Sequence, residues 1–203
     1  MVIRGTQGYA EQTDELAKRY EALSFEHKHE ALLHLLPPTP ARALDIGAGT
    51  GADAAWLAQR GYEVVAVEPT DELRRRGLAL HPSPSIEWVD DSLPGLDHII
   101  ARVHEFDLVM LTAVWMHLDE AERRLAMPRL ASLVRPDGLL TITLRHDPVP
   151  QGRIMFEVSA EETIALAHGC GMEAILSVHG SSTQAVNREA GITWSRLAFK
   201  PQA

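Results

Sequence analysis

The segment Leu44-Asp45-Ile46-Gly47-Ala48-Gly49-Thr50-Gly51 restricts the folds open to this chain more than any other stretch. An apolar run of strand length enters closely spaced glycines and leaves into a helical pattern. Glycine adopts positive φ without steric cost and lets backbone amides approach a ligand, while the helix that follows turns its N-terminus to the same place. Strand, bare turn and helix in that order form the opening unit of a parallel α/β sheet.

The alternation continues downstream. Strand patterns fall at residues 43–46, 63–67, 86–89, 106–111 and 139–144, and helical patterns at 50–60, 70–80, 96–103 and 119–134. Gly61 closes the first of these helices, Asp119 is placed to cap the last, and Arg135-Pro136-Asp137-Gly138 predicts a turn. Pro128 predicts a kink or a late start in the last helix, because proline removes a helical donor and crowds the preceding turn. Ser159 and Glu162 have capping-box spacing ahead of a helix over 160–168, and strand patterns at 172–179 and 192–199 predict an antiparallel ribbon. Before the core, two short helices are expected over 10–36, interrupted near Ser24 and Phe25 and stopped by Pro37-Pro38-Thr39-Pro40. The 203 residues thus read as one domain, with an N-terminal helical lid over 1–40 and a core over 41–203.

Composition narrows the partners. A formal net charge of -9 and the lack of any basic run longer than Arg74-Arg75-Arg76 argue against a nucleic-acid surface and for a small-molecule partner. The single cysteine, Cys170, forms no internal disulfide, and with neither a leader pattern nor a membrane-length apolar stretch the expectation is a cytoplasmic protein, monomer or homodimer. His29 and His34 flank a glutamate in a helical pattern but are spaced five apart, so they face different ways and no metal site is expected. A Gly-x-Ser-x-Gly elbow, a phosphate loop and a tyrosine followed four residues later by lysine are all absent.

Glycine spacing leaves two ligands open. Gly47, Gly49 and Ala52 satisfy the pattern of a dinucleotide site, and Glu68 ends the second strand where a ribose-binding acid belongs, so an NAD(P)-dependent oxidoreductase is one reading. Asp45 separates the two: a carboxylate there repels a diphosphate and attracts an ammonium or sulfonium, by about 1 to 4 kcal/mol at ~4 Å depending on solvent exclusion.

The strand ending in Asp45-Ile46-Gly47-Ala48-Gly49-Thr50-Gly51, the next ending in Val67-Glu68-Pro69, and Asp90-Asp91-Ser92-Leu93-Pro94 after the third together resemble the class I S-adenosylmethionine-dependent methyltransferases, in style their small-molecule branch. The resemblance spans about residues 41–144. It implies a doubly wound, mostly parallel, seven-stranded Rossmann-like sheet with an antiparallel C-terminal strand pair and N-terminal helices over the cofactor. It also implies S-adenosylmethionine as cofactor, S-adenosylhomocysteine as product, and Gly47, Ala48, Gly49 and Gly51 beside the methionine part with Asp45 near its amine. Glu68 and Pro69 would meet the ribose, Asp91 or Asp90 with Ser92 the adenine, and Ala113 the cofactor's reactive end. In the loop Thr112-Ala113-Val114-Trp115-Met116-His117, His117 would be a base for the acceptor or a second-layer residue, and Trp115 a pocket wall or packing. Arg145 and His146 end the fifth strand, where they would hold an acidic acceptor or simply meet solvent, and Tyr9, Arg19 and Tyr20 would belong to the lid, Tyr9 among the residues that bind the acceptor. No Asn/Asp-Pro-Pro-Tyr sequence follows the fourth strand, which lowers nucleobase or glutamine amino groups as acceptors. A non-catalytic binder of the same cofactor is the remaining alternative.

Overall fold

A computed structural model describes residues 5–102, 105–146, 148–182 and 184–202. Strands β1 (Ala41–Ile46), β2 (Tyr62–Val67), β3 (Ile86–Val89), β4 (Phe106–Thr112), β5 (Val134–Arg145), β6 (Met172–Ser181) and β7 (Thr193–Pro201) form one sheet in the order β3-β2-β1-β4-β5-β7-β6. The first five pair in parallel, and β7 pairs antiparallel with both β5 and β6. The doubly wound sheet with its antiparallel C-terminal pair is as the sequence implied.

Period-two alternation decides what each strand buries. Leu44, Ile46, Val65 and Val67 enter one core with Ala126, Met127 and Leu130, while Ala43, Val64 and Ala66 enter the other with Leu57, Phe25 and Leu32. Asp45 shares the side of Ala43, so the carboxylate points toward the N-terminal segment. Each fully buried leucine of this kind contributes about 1.5–3 kcal/mol.

The crossovers are α3 (Ala52–Gln59), α4 (Asp71–Leu80), α5 (Asp97–Ile100) and α6 (Glu120–Leu133), followed by α7 (Ala160–His168) and α8 (Ala185–Glu189). Pro128 lies inside α6, yet the helix starts at Glu120, where Asp119 and Glu122 form a complete capping box. The cap and the burial of Met127 and Leu130 outweigh the lost donor, so the late start did not materialise. The turn expected at 135–138 is instead an irregularity in β5, whose pairing with β4 slips between Phe106/Val134 and Leu108/Leu139. At α7, the Ser159 hydroxyl accepts from the Glu162 amide, but the Glu162 carboxylate accepts two hydrogen bonds from Arg123 at 2.8 and 3.1 Å rather than closing the box. A two-pronged pair with a guanidinium only 3% exposed outcompetes a single backbone amide.

The N-terminal segment folds in three pieces, not two: α1 (Thr13–Glu21), α2 (Phe25–Lys28) and a 3-10 turn (Glu30–Leu35). Phe25 stacks on Trp56 of α3 at 3.8 Å, and Arg60 covers the other indole face at 3.4 Å. Glu26 accepts from both Trp56 and Arg60. This clamp fixes α2 against the start of the sheet and sets the position of Lys28 and His29.

Candidate functional site

Strand order reverses direction between β1 and β4, and the carboxyl ends of these strands open a crevice there, the place where open α/β sheets bind ligands. The turn after β1 and the loop after β4 stack on each other. Gly47 has φ 72°, and a Cβ on it would sit 2.4 Å from Val114 Cγ2. Ala113, facing the same crevice, holds φ 60°, a left-handed conformation unusual for alanine and typical of residues constrained at a site. Its amide donates to Thr143 Oγ1 at 2.9 Å.

A cavity of about 530 Å³ fills this crevice, within the range of small-molecule sites. Gly47, Ala48, Gly49, Glu68, Pro69, Asp91, Ser92, Ala113 and Asp45 are among the residues that line it. Asp45 is 2% exposed and its Oδ2 has no hydrogen-bond partner. Burial pushes this carboxyl up to about 8, helped by the nearby Asp53 and opposed by Lys28. Burial works against ionisation of Asp53 too, but Lys28 at 2.6 Å and His29 at 3.0 Å hold that carboxyl below the ordinary range. Glu68 accepts from Gly49 N at 2.9 Å and from Thr70 N at 2.8 Å, one backbone amide for each oxygen, and burial raises its pKa. Asp91 accepts from the amides of Ser92, His98 and Ile99.

Tyr9, His117 and Arg145 line the same cavity. His117 is 8% exposed; its Nδ1 lies 2.7 Å from the Ile154 carbonyl and its Nε2 3.0 Å from Tyr9 Oη. Desolvation lowers its pKa. Arg153 lies over the Tyr9 ring at 3.7 Å and donates to the Gln7 carbonyl and Gln12 Oε1.

Four expected residues stand elsewhere. Trp115 is completely buried in the core beneath the sheet and does not reach the cavity, because the short helical turn Trp115–His117 points it inward and His117 outward. Asp90 turns away to pair with Arg74 at 3.3 Å, leaving Asp91 at the cavity. His146 bonds Ser195 Oγ at 2.8 Å on β7, off the cavity wall. Gly51 stands off the cavity wall, with the indole of Trp88 so close that a Cβ there would meet it at 2.7 Å.

Sequence reasoning missed Lys28, Asp53 and Arg153, all of which line the cavity. Asp53 was visible only as an acid in a first helical turn, a common dipole-favoured position. Lys28 and Arg153 lie far from the glycine turn along the chain and carried no local signal. His29 and His34 part company, His29 buried on Asp53 and His34 exposed, and no metal-binding cluster occurs among the described residues. No helix among those residues is long and apolar enough to cross a membrane.

Comparison with known proteins agrees with this geometry. A methyltransferase domain family matches residues 10–177. Mouse glycine N-methyltransferase is 34% identical over 118 residues, covering 52% of this chain and 40% of that protein. An uncharacterized methyltransferase of Mycobacterium bovis is 34% identical over 122 residues, covering 60% of this chain and 46% of that protein. The chain therefore spans less than half the length of these curated relatives. In fold, it is similar to the Burkholderia thailandensis 1,6-didemethyltoxoflavin-N1-methyltransferase solved with S-adenosylhomocysteine, with a TM-score of 0.72 at 19% identity over 96% of this chain and 86% of that one. With the family matched across most of its length and the sheet order built as that fold requires, the chain belongs to the methyltransferase domain family, in its class I, Rossmann-like form.

Proposed function

We propose that this chain transfers a methyl group from S-adenosylmethionine to a small acceptor bearing an anionic group. The observation that carries the reading is Asp45 Oδ2, a buried carboxyl oxygen without a partner at the mouth of the glycine turn. Burial keeps this carboxyl largely protonated while it has no partner, a cationic amino group beside it favours its ionisation, and with Asp53 and Glu68 nearby the place is hostile to a diphosphate. Glu68 accepts two backbone amides and the Thr70 side chain, three of about four acceptor positions, and keeps one for a ribose hydroxyl. Asp91 uses three of about four acceptor positions and keeps one for an adenine amino group. Gly47, Ala48 and Gly49 leave backbone exposed along the methionine part, with Pro69, Ser92 and Ala113 completing the wall.

The cavity is lined by the acids Asp45, Asp53, Glu68 and Asp91 and by the cations Arg19, Lys28, Arg145, Arg153 and Arg196, of which Lys28 is held by Asp53. Arg153 donates only to neutral oxygens, and neither it nor Arg19 has an acidic partner among the described residues. On a chain of net charge -9, arginines in the cavity without acidic partners support an anionic small molecule over a nucleic acid. A bound sulfonium supplies an electrophilic methyl carbon, and the protein's part is alignment, worth ~7 to 11 kcal/mol when the reactants are held in line. Residues 1–40 act in this reading as a cover over one catalytic domain spanning 1–203. This reading places the enzyme in the cytoplasm, a reducing compartment that a single cysteine does not argue against.

The test is thermal unfolding with added ligand. S-adenosylhomocysteine at ~100 times its Kd stabilises by about 2.7 kcal/mol, a rise of about 5 to 11 °C at this size, whereas NAD and NADP leave the midpoint unchanged. The opposite pattern refutes the cofactor assignment. Formation of S-adenosylhomocysteine across a panel of carboxylated metabolites then separates an enzyme from a binder without turnover.

A further inference from the structure

We propose that Tyr9, rather than His117, is the group that takes the acceptor's proton, with His117 behind it receiving the proton Tyr9 already carries; this rests on the methyl-transfer reading above. The imidazole of His117 is fixed at both nitrogens. A carbonyl oxygen can only accept, so Nδ1, 2.7 Å from the Ile154 carbonyl, must carry a hydrogen. In the neutral ring Nε2 is then a bare acceptor, and the only group on it among the described residues is the Tyr9 hydroxyl at 3.0 Å, which must donate. The reversed tautomer would set two lone pairs against each other at the Ile154 carbonyl.

Two consequences follow for the cavity. Nε2, the nitrogen a direct base would use, is covered by the phenol, whose ring stands edge-on to the imidazole at 5.7 Å and 76°. Tyr9 Oη, by contrast, makes no other hydrogen bond among the described residues and belongs to the cavity wall, so its lone pairs are the basic surface an acceptor meets. Arg153 over the ring stabilises negative charge that builds on the phenol oxygen during transfer, and Arg19 and Arg145 act in the same sense. Glu68 opposes them from the cofactor end.

The step balances within these groups. The acceptor nitrogen or oxygen forms its bond to the methyl carbon while the carbon–sulfur electron pair remains with sulfur. The acceptor's proton passes to Tyr9 Oη, and the Tyr9 proton passes to His117 Nε2, leaving a neutral phenol and an imidazolium. Burial and the facing Arg145 and Arg153 disfavour that imidazolium, so it returns its proton to water when product leaves. The arrangement is useful only to an acceptor that must shed a proton on methylation, which selects amines, ammonium groups and hydroxyls. Tyr9 is then a catalytic residue, and His117 a positioning residue that also receives its proton.

The test reads the apo and S-adenosylhomocysteine-loaded protein by ¹⁵N NMR of labelled histidines, with His117→Gln identifying the His117 signals. We expect a protonated Nδ1 and a bare, hydrogen-bonded Nε2 through neutral pH, and in Tyr9→Phe an unchanged Nδ1 with Nε2 moved to the position of an unbonded imine nitrogen. A protonated Nε2 in the wild type, or an Nε2 signal indifferent to Tyr9→Phe, overturns the relay. The wild-type tautomer decides the matter even should the variant fold poorly. Calorimetry of S-adenosylhomocysteine with the wild type runs alongside; absence of binding there counts against the methyl-transfer reading and leaves the tautomer result standing. With a carboxylated metabolite from the panel that turns over, Tyr9→Phe lowers kcat about 10²- to 10⁴-fold at little change in KM, and an undiminished kcat overturns the proposal.

Discussion

Gly47→Ala tests how the site is built, because two separate penalties meet at that residue. The first is conformational: φ is 72°, and a left-handed alanine costs about 1–2 kcal/mol. The second is steric, since the new Cβ would lie 2.4 Å from Val114 Cγ2, and forcing a carbon into a packed position costs about 1–3 kcal/mol. Valine is stiff about χ1, so the clash is relieved mainly by pushing the strand-four loop, and with it Ala113, into the cavity. Together the penalties come to about 3 kcal/mol, a fall of about 6 to 12 °C in Tm for a chain of this size. Val114→Ala alone leaves a small void worth about 1 kcal/mol, but in the Gly47→Ala background it removes the atom that clashes. The double variant should then be less destabilised than the sum of the singles by about 1–3 kcal/mol, while the conformational penalty remains. Urea unfolding of the four proteins gives this coupling directly, and S-adenosylhomocysteine affinity should fall in Gly47→Ala and recover in part in the double variant. Additivity within about 0.5 kcal/mol would refute the stacking of the two loops as the reason for glycine at this position.

Other expectations bear on charge and strain. Asp45 has a folded-state pKa raised to about 8 by burial, so its contribution to stability is complete below the unfolded carboxylate value near ~4 and is lost as pH rises toward about 8. Asp45→Asn should therefore flatten the decline in urea midpoint between about pH 5 and about pH 8 and weaken S-adenosylhomocysteine binding by about 1–3 kcal/mol; an unchanged pH slope would refute the buried carboxyl. Asp53 has the opposite sign: held below the ordinary range, its contribution is full above ~4 and fades only on further acidification, and Asp53→Asn, which strands Lys28 and the buried His29, should cost about 3 kcal/mol at neutral pH by chemical denaturation. Ala113→Gly relieves a φ of 60° and should gain about 0.5 kcal/mol after allowing for the freer unfolded chain; a loss above ~1 kcal/mol would show that the methyl group there packs usefully. Gly77→Ala drives a Cβ to 2.2 Å from the Trp88 ring and 2.8 Å from the Thr50 carbonyl, and we expect it to yield little folded protein, judged by circular dichroism.

Much of the candidate site's lining was legible because the signals are local. The strand of alternating Ala43, Leu44 and Asp45 decides which face each side chain takes, the glycines permit the turn, and Glu68 is carried to the end of β2 by the same alternation. Asp119 and Glu122 announce their helix start three residues apart. Such features involve neighbours on the chain, and backbone geometry translates them without reference to anything distant.

What the chain order could not reveal depends on which segments meet after folding. Gly51 is empty for Trp88, Trp115 turns into the core while His117 two residues later faces Tyr9, and Arg123 draws Glu162 away from the cap that its spacing promised. Lys28 finds Asp53, and Arg153 covers Tyr9 across 144 positions, the difference between their numbers. The amino-acid order by itself therefore determined the α/β alternation, the bare turn and the acid beside it. Only the tertiary structure decided which polar atoms lack or share partners in the cavity, because desolvation and hydrogen bonding act over a few ångströms of space and take no account of distance along the chain.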